Sequence, residues 1–375
     1  MARPSPPGDD GPGALRRFVL PMIFVIALFV ALFMRRPDGG SGDPSELWTI
    51  TGPIMGTTFT VKVLPKEVKT DRDTTEKAIQ EALNTVNAQM STYQKDSELS
   101  QFNANPSTEP IAISPELALV TAEALRLNTL SGGAFDVTVG PLVNAWGFGP
   151  DTRGKPPSEE TLAQLKQRVG ADKISLNTDG PTLTKAHPEV YVDLSAIAKG
   201  HGVDQVAKTL DTLGYNDYMV EVGGEVRAHG VNAEGKPWRI GIEKPDENAR
   251  AIQEVVALDN MALATSGNYR NFYEDASGKR ISHTIDPVTG RPVTHRLASV
   301  SVLHPSCMTA DGLATALNVL GDTKGYTWAA KENLAALFII KDPEGRFLEK
   351  ATPAFEALRS SATADKGGST SPETP

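Results

Sequence analysis

The chain has 375 residues, of which 39% are hydrophobic, so it can bury the core of one large domain or of two smaller ones. Its 37 Lys and Arg residues against 46 Asp and Glu residues give a formal net charge of -9, which argues against a general nucleic-acid-binding protein because a phosphate backbone needs a basic face. The single cysteine, Cys307, excludes an intrachain disulfide bond and a cysteine-cluster metal site.

The first predicted element is a continuous apolar run over residues 18–34. Its length is at the short end of what spans a bilayer and exceeds that of a usual signal-peptide core. An arginine pair flanks the run on each side, so basic residues separate the two orientations only weakly, and Arg3 favours a cytoplasmic position for residues 1–17. No small-residue cleavage pattern follows the run, which favours an uncleaved anchor over a cleaved signal peptide. We therefore expect a single membrane anchor with the globular part on the outer face.

A flexible linker is predicted over residues 35–46, which are rich in Gly, Ser, Asp and Pro. A folded domain is expected to follow over residues 47–359. Residues 360–375 are rich in Ser, Thr, Gly and Pro and lack apolar periodicity, so a disordered tail is predicted there.

Within the domain, a strand with alternating apolar residues is predicted over 59–63 and a helix over 74–89. Ser114 and Pro115 are typical of a helix start, which predicts a helix over 115–129. Grouped helices and strands, rather than a regular alternation, favour an α+β fold with a mostly antiparallel sheet and packed helices. The remaining predicted helices are 158–168 and 197–213, and the remaining predicted strands are 218–222, 225–229, 238–242, 254–258, 298–303 and 334–340.

Two late segments carry residues suited to metal-assisted phosphate chemistry. Asp311 and Thr315 lie four residues apart at the start of an apolar helical run, so their oxygens face the same way one turn apart. Hard oxygen donors suit Mg²⁺. His283 stands in a polar, turn-forming sequence and can accept a proton near neutral pH, which makes it the candidate base. Alternatively, Asp311 is a first-turn carboxylate favoured by the helix dipole, Thr315 an ordinary helix-face residue, and His283 part of a hairpin turn.

Glycine-containing segments offer further contacts. Gly132 and Gly133 let a ligand approach the backbone closely or end the preceding helix in a left-handed cap, and both interpretations can hold. Tyr93 is able to stack on a planar ring or to fill the core. Residues 222–225 are most simply a hairpin turn, and residues 265–270 form either a phosphate-binding or ribose-binding loop or a solvated one. None of these segments is a P-loop or a dinucleotide fingerprint, which disfavours a kinase or a Rossmann dehydrogenase.

Taken in order, these segments and several others resemble the motifs of the ApbE family of FAD:protein FMN transferases. The resemblance runs from about Ile50 to Ile340, and so many short motifs in the right order make a chance match improbable. It implies an ApbE-like, T-fold-related architecture. The motifs are Met55-Gly56-Thr57, Ser97-Glu98-Leu99-Ser100, Phe102-Asn103, Gly133-Ala134-Phe135-Asp136, Val139-Gly140-Pro141-Leu142, Trp146-Gly147-Phe148-Gly149, residues 193–200, Val222-Gly223-Gly224-Glu225, Ser266-Gly267-Asn268-Tyr269, residues 282–287, and Asp311 with Thr315.

The resemblance implies an enzyme that splits the pyrophosphate of FAD and transfers FMN, through a phosphoester bond, to a Thr or Ser hydroxyl of an acceptor protein, releasing AMP. The implied acceptors are flavoprotein subunits of membrane electron-transfer complexes. Together with the predicted anchor, this indicates a bacterial inner-membrane protein with its catalytic domain in the periplasm.

Carried over by position, the resemblance implies that Asp311, Thr315 and the backbone carbonyl of Ala196 hold Mg²⁺. His283 would take the proton from the acceptor hydroxyl, since a hydroxyl is a weak nucleophile until a base removes its proton. Lys199 could contact an FAD phosphate or pair with a neighbouring carboxylate. The implied FAD-lining residues are Met55, Tyr93, Ala134, Phe135, Asp136, Asp193, Lys199 and Ile285.

Two other functions use many of the same residues. An FAD pyrophosphatase would use water as the acceptor, with the same metal and base. A non-catalytic flavin-binding or assembly protein would not need His283 together with Asp311, so their presence favours catalysis.

Overall fold

An eight-stranded antiparallel sheet is the main element of the part of this chain that the structure describes. The computed structural model describes residues 46–66, 68–149, 156–245, 252–258, 260–268, 272–274, 278 and 280–364. The strands are β1 (Trp48–Ile54), β2 (Thr57–Val63), β3 (Ile111–Ala112), β4 (Ile174–Asn177), β5 (Thr182–Lys185), β6 (Tyr218–Val222), β7 (Glu225–His229), β8 (Trp238–Glu243), β9 (Ile252–Leu258), β10 (Met261–Gly267), β11 (Phe272–Glu274), β12 (Arg280–Ser282), β13 (Ile285–Asp286), β14 (Arg291–Pro292), β15 (Leu297–His304), β16 (Ala335–Lys341) and β17 (Phe347–Ala351). The order of the strands across the main sheet is β1-β2-β6-β7-β10-β15-β16-β17.

Most of the helices begin at a side chain that caps them. Asp71, Ser97, Ser114, Ser158 and Ser306 each accept a hydrogen bond from the backbone N–H three residues on, which satisfies one of the free donors of the first turn. The helices are α1 (Arg72–Met90), α2 (Glu98–Ala104), α3 (Pro115–Leu130), α4 (Gly140–Ala145), α5 (Glu159–Lys166), α6 (Ala198–Thr212), α7 (Cys307–Lys331) and α8 (Pro353–Ala364).

The sheet is covered on both faces, as the burial of β16 illustrates. Ala336 and Phe338 point into a core shared with α1, α3 and α7. Ala335, Leu337 and Ile339 point into a second core shared with the β8–β9 ribbon and α8. Because successive side chains of a strand point to opposite faces, a strand buried on both sides reads as a continuous apolar run. The described part therefore has a helical layer, a sheet and a thinner covering layer.

Shorter elements lie outside the main sheet. β3, β5 and β4 form a three-stranded sheet, while β8–β9, β11–β12 and β13–β14 are separate antiparallel pairs. The connection between β12 and β13 carries His283. A small core that includes Trp146, Leu162 and Ile285 lies against these last hairpins.

The α+β prediction with a mostly antiparallel sheet is confirmed. The predicted strands 218–222 and 225–229 coincide with β6 and β7, and the predicted helix over 115–129 begins at its Ser114 cap. The interpretation of residues 265–270 as a loop is wrong for Thr265, Ser266 and Gly267, which end β10. β10 reads Met-Ala-Leu-Ala-Thr-Ser-Gly, and its small residues give no alternating signal because neighbouring strands and α7 cover it.

The predicted anchor over residues 18–34 lies outside the described residues, as do nearly all of the linker and the residues of the predicted tail after 364. Within the described ranges, every helix is too short or too polar to cross a bilayer. α8 ends at Ala364, so its last turn occupies the first residues of the predicted tail.

The buried histidine of α6 makes stability depend on pH. His201 is 1% exposed, and its Nε2 has no hydrogen-bond partner among the described residues. Burial lowers the pKa of this imidazole to about 4. An unfolded chain binds this proton near pH 6.5, so the stability contribution of the neutral ring is complete above that pH and is lost as the pH falls towards 4.

We therefore expect the unfolding free energy of His201→Gln, which has no titrating ring at this position, to fall less steeply with decreasing pH than that of the native chain. Between about pH 7 and pH 5 the native chain should lose about 2 kcal/mol more unfolding free energy than the variant. Urea unfolding at several pH values measures this difference. Parallel pH profiles for the two proteins would contradict it.

Candidate active site

The centre of the candidate site is the contact between the first turn of α6 and α7. A Cβ added at Gly200 would lie 2.3 Å from the carbonyl oxygen of Cys307 and 2.9 Å from the Cβ of Asp311. Only glycine allows this approach. The backbone N–H of Gly200 donates to Oδ2 of Asp311 at 3.0 Å. The glycine therefore brings a buried carboxylate against the start of a helix.

Lys199 lies between two buried carboxylates. Its Nζ is 2.8 Å from Oε1 of Glu225 and 3.4 Å from both carboxylate oxygens of Asp311. The second oxygen of Glu225 accepts from the N–H of Thr265 at 3.1 Å. Of the two roles that the sequence left open for Lys199, pairing with a neighbouring carboxylate is the one present here.

The electrostatics of this cluster follow from its burial. Burial alone would lower the pKa of Lys199, but Asp311 and Glu225 outweigh it and raise the pKa well above the ordinary lysine value. Burial raises the pKa of Asp311 above its usual range, although Lys199 opposes this shift. With both carboxylates ionised, the cluster of two carboxylates and one ammonium has one uncompensated negative charge. A further cation would therefore be stabilised beside this cluster.

Two more hard oxygens near the cluster lack the partners that a regular helix would give them. Because the N–H of Gly200 donates to Asp311, it does not bond the carbonyl of Ala196 four residues before it, and that carbonyl accepts no hydrogen bond within the described ranges. Mid-helix threonines such as Thr209 and Thr327 donate to the carbonyl four residues earlier. Half-buried Thr315 makes no such bond among the residues described.

The donor set fits a hard divalent cation. Carboxylate, hydroxyl and carbonyl oxygens are what Mg²⁺ prefers, and it is commonly bound through one or two carboxylates. The described residues hold no cluster of three or more His, Cys, Asp or Glu side chains suited to a metal.

The segment after α3 forms one wall of the site. Gly132 and Gly133 adopt positive φ and donate to the carbonyls of Thr129 and Asn128, which is a Schellman cap. The cap interpretation is thus confirmed. Phe135 is 2% exposed and lies beside Gly312, where an added Cβ would be 3.6 Å from its ring.

Asp136 has little hydrogen-bonding capacity left for a ligand. One carboxylate oxygen accepts from the N–H of Thr138 at 2.8 Å and from its hydroxyl at 2.6 Å. The other accepts from the N–H of Ala171 at 3.1 Å. Burial raises the pKa of Asp136, and these hydrogen bonds oppose the rise. The side chain therefore holds the loop in shape.

Three other predicted residues lie around the same helix start. Met55, in the β1–β2 turn, has φ of 48° and contacts the position of Gly202 on α6. Asp193 accepts from the N–H of Ser195 at 2.9 Å, and its charge together with burial raises the pKa of Tyr93. Tyr93 is 67% exposed, so the core interpretation of this ring is wrong.

His283 is half-buried on the connection between β12 and β13. Its ring meets Phe148 edge-on, with the ring centroids 6.2 Å apart. Two residues on, Ile285 is 4% exposed and belongs to the small apolar core with Trp146. The indole N–H of Trp146 donates to the carbonyl of Gly290 at 2.8 Å, which ties this hairpin to α4.

The structure thus groups most of the predicted residues around α6 and α7, while His283 lies on the connection between β12 and β13. Sequence reasoning assigned no role to Glu225, although it quoted the motif that contains it. It also missed Asp204, which accepts from the N–H groups of Cys307 and Met308 at 3.1 and 3.0 Å and from Arg227 at 2.7 Å. No local pattern indicates that contact, since it joins residues about a hundred positions apart.

Comparisons with known proteins agree with one another. The model of the ApbE family matches residues 55–338. The chain is 52% identical to a FAD:protein FMN transferase of Haemophilus influenzae over 89% of this chain and 98% of the relative, and 48% identical to one of Vibrio cholerae over 86% and 95%. Among solved structures, it is similar to the flavin transferase ApbE of Vibrio cholerae, with a TM-score of 0.77 and 48% identity over 83% of this chain and 99% of that one. The apo flavinyl transferase ApbE of Pseudomonas stutzeri has a TM-score of 0.77 and 38% identity over 84% and 97%.

Asp204 holds the start of α7 against α6, so its loss should be costly. We expect Asp204→Ala to lower the unfolding free energy on the order of 3 kcal/mol, because Arg227 and the first N–H groups of α7 lose a charged partner. Asp211→Ala on the same helix removes only the acceptor for the hydroxyl of Tyr218 at 2.7 Å and should cost about 1 kcal/mol. Urea unfolding of both variants measures the difference. Equal losses of unfolding free energy in the two variants would show that Asp204 contributes no more to stability than an ordinary buried hydrogen bond.

Proposed function

The chain belongs to the ApbE family, and on that premise we propose that it transfers FMN from FAD to a Thr or Ser hydroxyl of an acceptor flavoprotein, releasing AMP. The observation that supports particular residues is the buried cluster of Lys199, Glu225 and Asp311, beside which the Ala196 carbonyl and the Thr315 hydroxyl have no hydrogen-bond partner among the described residues. The half-buried His283 completes the set of groups that the reaction needs.

The chemistry is a displacement at phosphorus. The acceptor hydroxyl oxygen forms a bond to the phosphorus on the FMN side of the pyrophosphate, and the bridging P–O bond breaks, so AMP leaves with the bridging oxygen. The hydroxyl proton goes to the neutral imidazole of His283, acting as general base. The proton is later released to solvent, which the half-exposed position of the ring permits.

We propose that Asp311, Thr315 and the carbonyl of Ala196 hold Mg²⁺. This ligand set is supported by the remaining negative charge of the cluster. Within the described ranges it is also supported by a Thr315 hydroxyl that does not donate to the preceding turn and by an Ala196 carbonyl that accepts no hydrogen bond. When bound, the ion supplies positive charge that stabilises the charge developing on the pyrophosphate oxygens. Lys199 keeps Asp311 and Glu225 in place and limits the net charge of the cluster.

The FAD subsite is proposed from exposure. Tyr93 is a large aromatic side chain that is 67% exposed, which supports stacking on a planar ring of FAD. Met55 and Asp193 lie beside α6 and are half-buried, so they remain accessible. Ala134, Phe135 and Ile285 are covered, so they would offer backbone contacts or shape rather than side-chain groups. Half-buried Asp136 already accepts hydrogen bonds from Thr138 and Ala171.

We further propose that the acceptors are flavin-carrying subunits of membrane electron-transfer complexes. The apolar run over residues 18–34 supports a single-pass anchor in a bacterial inner membrane, with the catalytic domain in the periplasm. Such an anchor would keep the enzyme close to membrane-bound acceptors, so that enzyme and acceptor would meet by diffusion in the plane of the membrane.

The direct test incubates the full chain with FAD, Mg²⁺ and a flavin-acceptor subunit. Intact mass and in-gel flavin fluorescence of the acceptor should give a gain equal to FMN, together with AMP release. Formation of free FMN and AMP with an unmodified acceptor would indicate the pyrophosphatase instead. Intact FAD would indicate a binding protein.

In the same assay, His283→Ala should slow FMN transfer by about 10² to 10⁴, which is what a general base contributes, while FAD affinity stays unchanged. His187→Ala, in the loop after β5, is the matched histidine control and should keep the native rate. A transfer rate for His283→Ala equal to that of the control would remove His283 as the base.

For the metal site, Thr315→Val should raise the Mg²⁺ concentration for half-maximal rate about tenfold or more, because one oxygen ligand is lost without a change of shape. Thr327→Val on the same helix removes a hydroxyl bonded only to the carbonyl of Thr323 and should leave that requirement unchanged. Asp311→Asn should abolish turnover. Metal-independent transfer by the native enzyme would refute the site.

A further inference from the structure

A buried pair of amides joins β10 to α7. Asn318, on α7, is 0% exposed, and Asn268 directly follows β10. The side-chain N–H of Asn268 donates to Oδ1 of Asn318 at 3.0 Å, and that of Asn318 donates back to Oδ1 of Asn268 at 3.1 Å. Such a closed double hydrogen bond satisfies both amides in a region where an unpaired polar group is costly.

The same oxygen of Asn268 also holds both neighbours of His283. Ser282 donates its hydroxyl to it at 2.8 Å, and Thr284 donates at 2.9 Å. The second N–H of Asn318 donates to the hydroxyl of Thr284 at 3.0 Å. The side chains before and after His283 are thus fixed to one point.

This arrangement determines where the His283 ring can lie. Ser282 and Thr284 are 6% and 8% exposed, whereas His283 is half-buried. With both neighbours held inward by these hydrogen bonds, the His283 side chain between them is the most exposed of the three. The N–H of Thr284 also donates to the hydroxyl of Ser282 at 3.1 Å, which narrows the backbone conformations available to His283.

Asn318 connects the segment that carries His283 with the proposed metal ligands. It follows Thr315 by three residues and Asp311 by seven, which places it about 4.5 Å and about 10 Å farther along the axis of α7. All three residues precede the break in α7 at Gly321, where φ is 79°. One uninterrupted helical stretch therefore carries the carboxylate, the hydroxyl and the anchor of the base.

We propose that Asn268 and Asn318 are positioning residues that set the distance between the imidazole of His283 and the Asp311–Thr315 end of α7. They act through Ser282 and Thr284 and need not touch either substrate. The proposal rests on the proposed function, because it gives a reason for the placement of the base in that reaction.

The direction of each hydrogen bond gives an asymmetric test. Asn268→Asp keeps the oxygen that accepts from Ser282, Thr284 and Asn318; it loses one donated bond and turns its second oxygen towards Oδ1 of Asn318. Asn318→Asp loses both donated bonds and turns an oxygen towards that of Asn268. We expect Asn318→Asp to lower kcat for FMN transfer at least about tenfold, and Asn268→Asp to lower it by less than about threefold.

Three further measurements identify the route of the effect. In Asn318→Asp, FAD affinity and the Mg²⁺ concentration for half-maximal rate should stay native, so the loss is in kcat. Introduced into His283→Ala, Asn318→Asp should cause no additional loss, because residues that act through the same group are not additive. An increased Mg²⁺ requirement, or a full additional loss in that background, would overturn the proposal in favour of an effect on the metal ligands or on the whole fold.

A second pair of variants covers the case in which Asn318→Asp does not fold. Thr284→Val keeps the shape of the side chain but removes its hydroxyl, and should lower kcat in the same way, whereas Thr284→Ser should restore most of it. Thr75→Val, on α1, removes a buried hydroxyl that is hydrogen-bonded to the hydroxyl of Tyr215 at 2.7 Å. It controls for a loss of stability and should keep the native kcat. Native transfer by Thr284→Val would refute the inference alone, while native transfer by His283→Ala would refute the proposed base.

Discussion

The burial of Lys199, Glu225 and Asp311 against one another is the constraint on which the rest of the site depends. Charges lose hydration when they leave water, and a buried cluster persists only if each member is paired or hydrogen-bonded. Asp311 has the N–H of Gly200 at 3.0 Å, and Glu225 has the N–H of Thr265 at 3.1 Å. The start of α6, the end of β10 and the first half of α7 must therefore meet at one place. Gly200 permits this, since any side chain there would clash with α7.

Around this cluster, some polar groups hold the secondary-structure elements together and others remain available to a ligand. Asp204 binds the start of α7 to α6, and Arg227 of β7 joins the same carboxylate at 2.7 Å. These contacts use the hydrogen-bonding capacity of the Asp204 carboxylate to hold α6, α7 and β7 together. By contrast, the carbonyl of Ala196 and the hydroxyl of Thr315 are left without internal acceptors or donors in the described ranges. Where a folded chain satisfies almost every buried polar group, oxygens left over beside a net negative cluster are the ones available to a cation.

The sequence predicted most of the frame because its signals are local. Ser114 and Pro115 mark the start of α3, and the alternating pattern marks β6 and β7. It failed at β10, whose small residues lie between two strands and carry no period. For the site, the spacing of Asp311 and Thr315 indicated one helical face, and the motifs indicated His283. The partners of Lys199 could not be predicted, since Glu225 and Asp311 are 26 and 112 residues away in sequence.

The proposed reaction gives a reason why the proposed base, His283, and the carboxylate of Asp311 lie on different kinds of element. The groups that handle a pyrophosphate work best when they are dry and rigid, and Asp311 is buried in the helical frame. In the proposed reaction, however, the acceptor hydroxyl belongs to another protein and must reach its base from outside, so His283, the proposed base, would have to lie where a second surface can approach it. A base on a half-exposed connection between two strands would ordinarily be loosely placed, which is costly for a proton transfer that depends on geometry. Ser282 and Thr284, on either side of His283, are buried and donate to the Asn268 oxygen, which also accepts from Asn318 of α7. The ring therefore stays accessible, while the residues on both sides of it are tied to the helix.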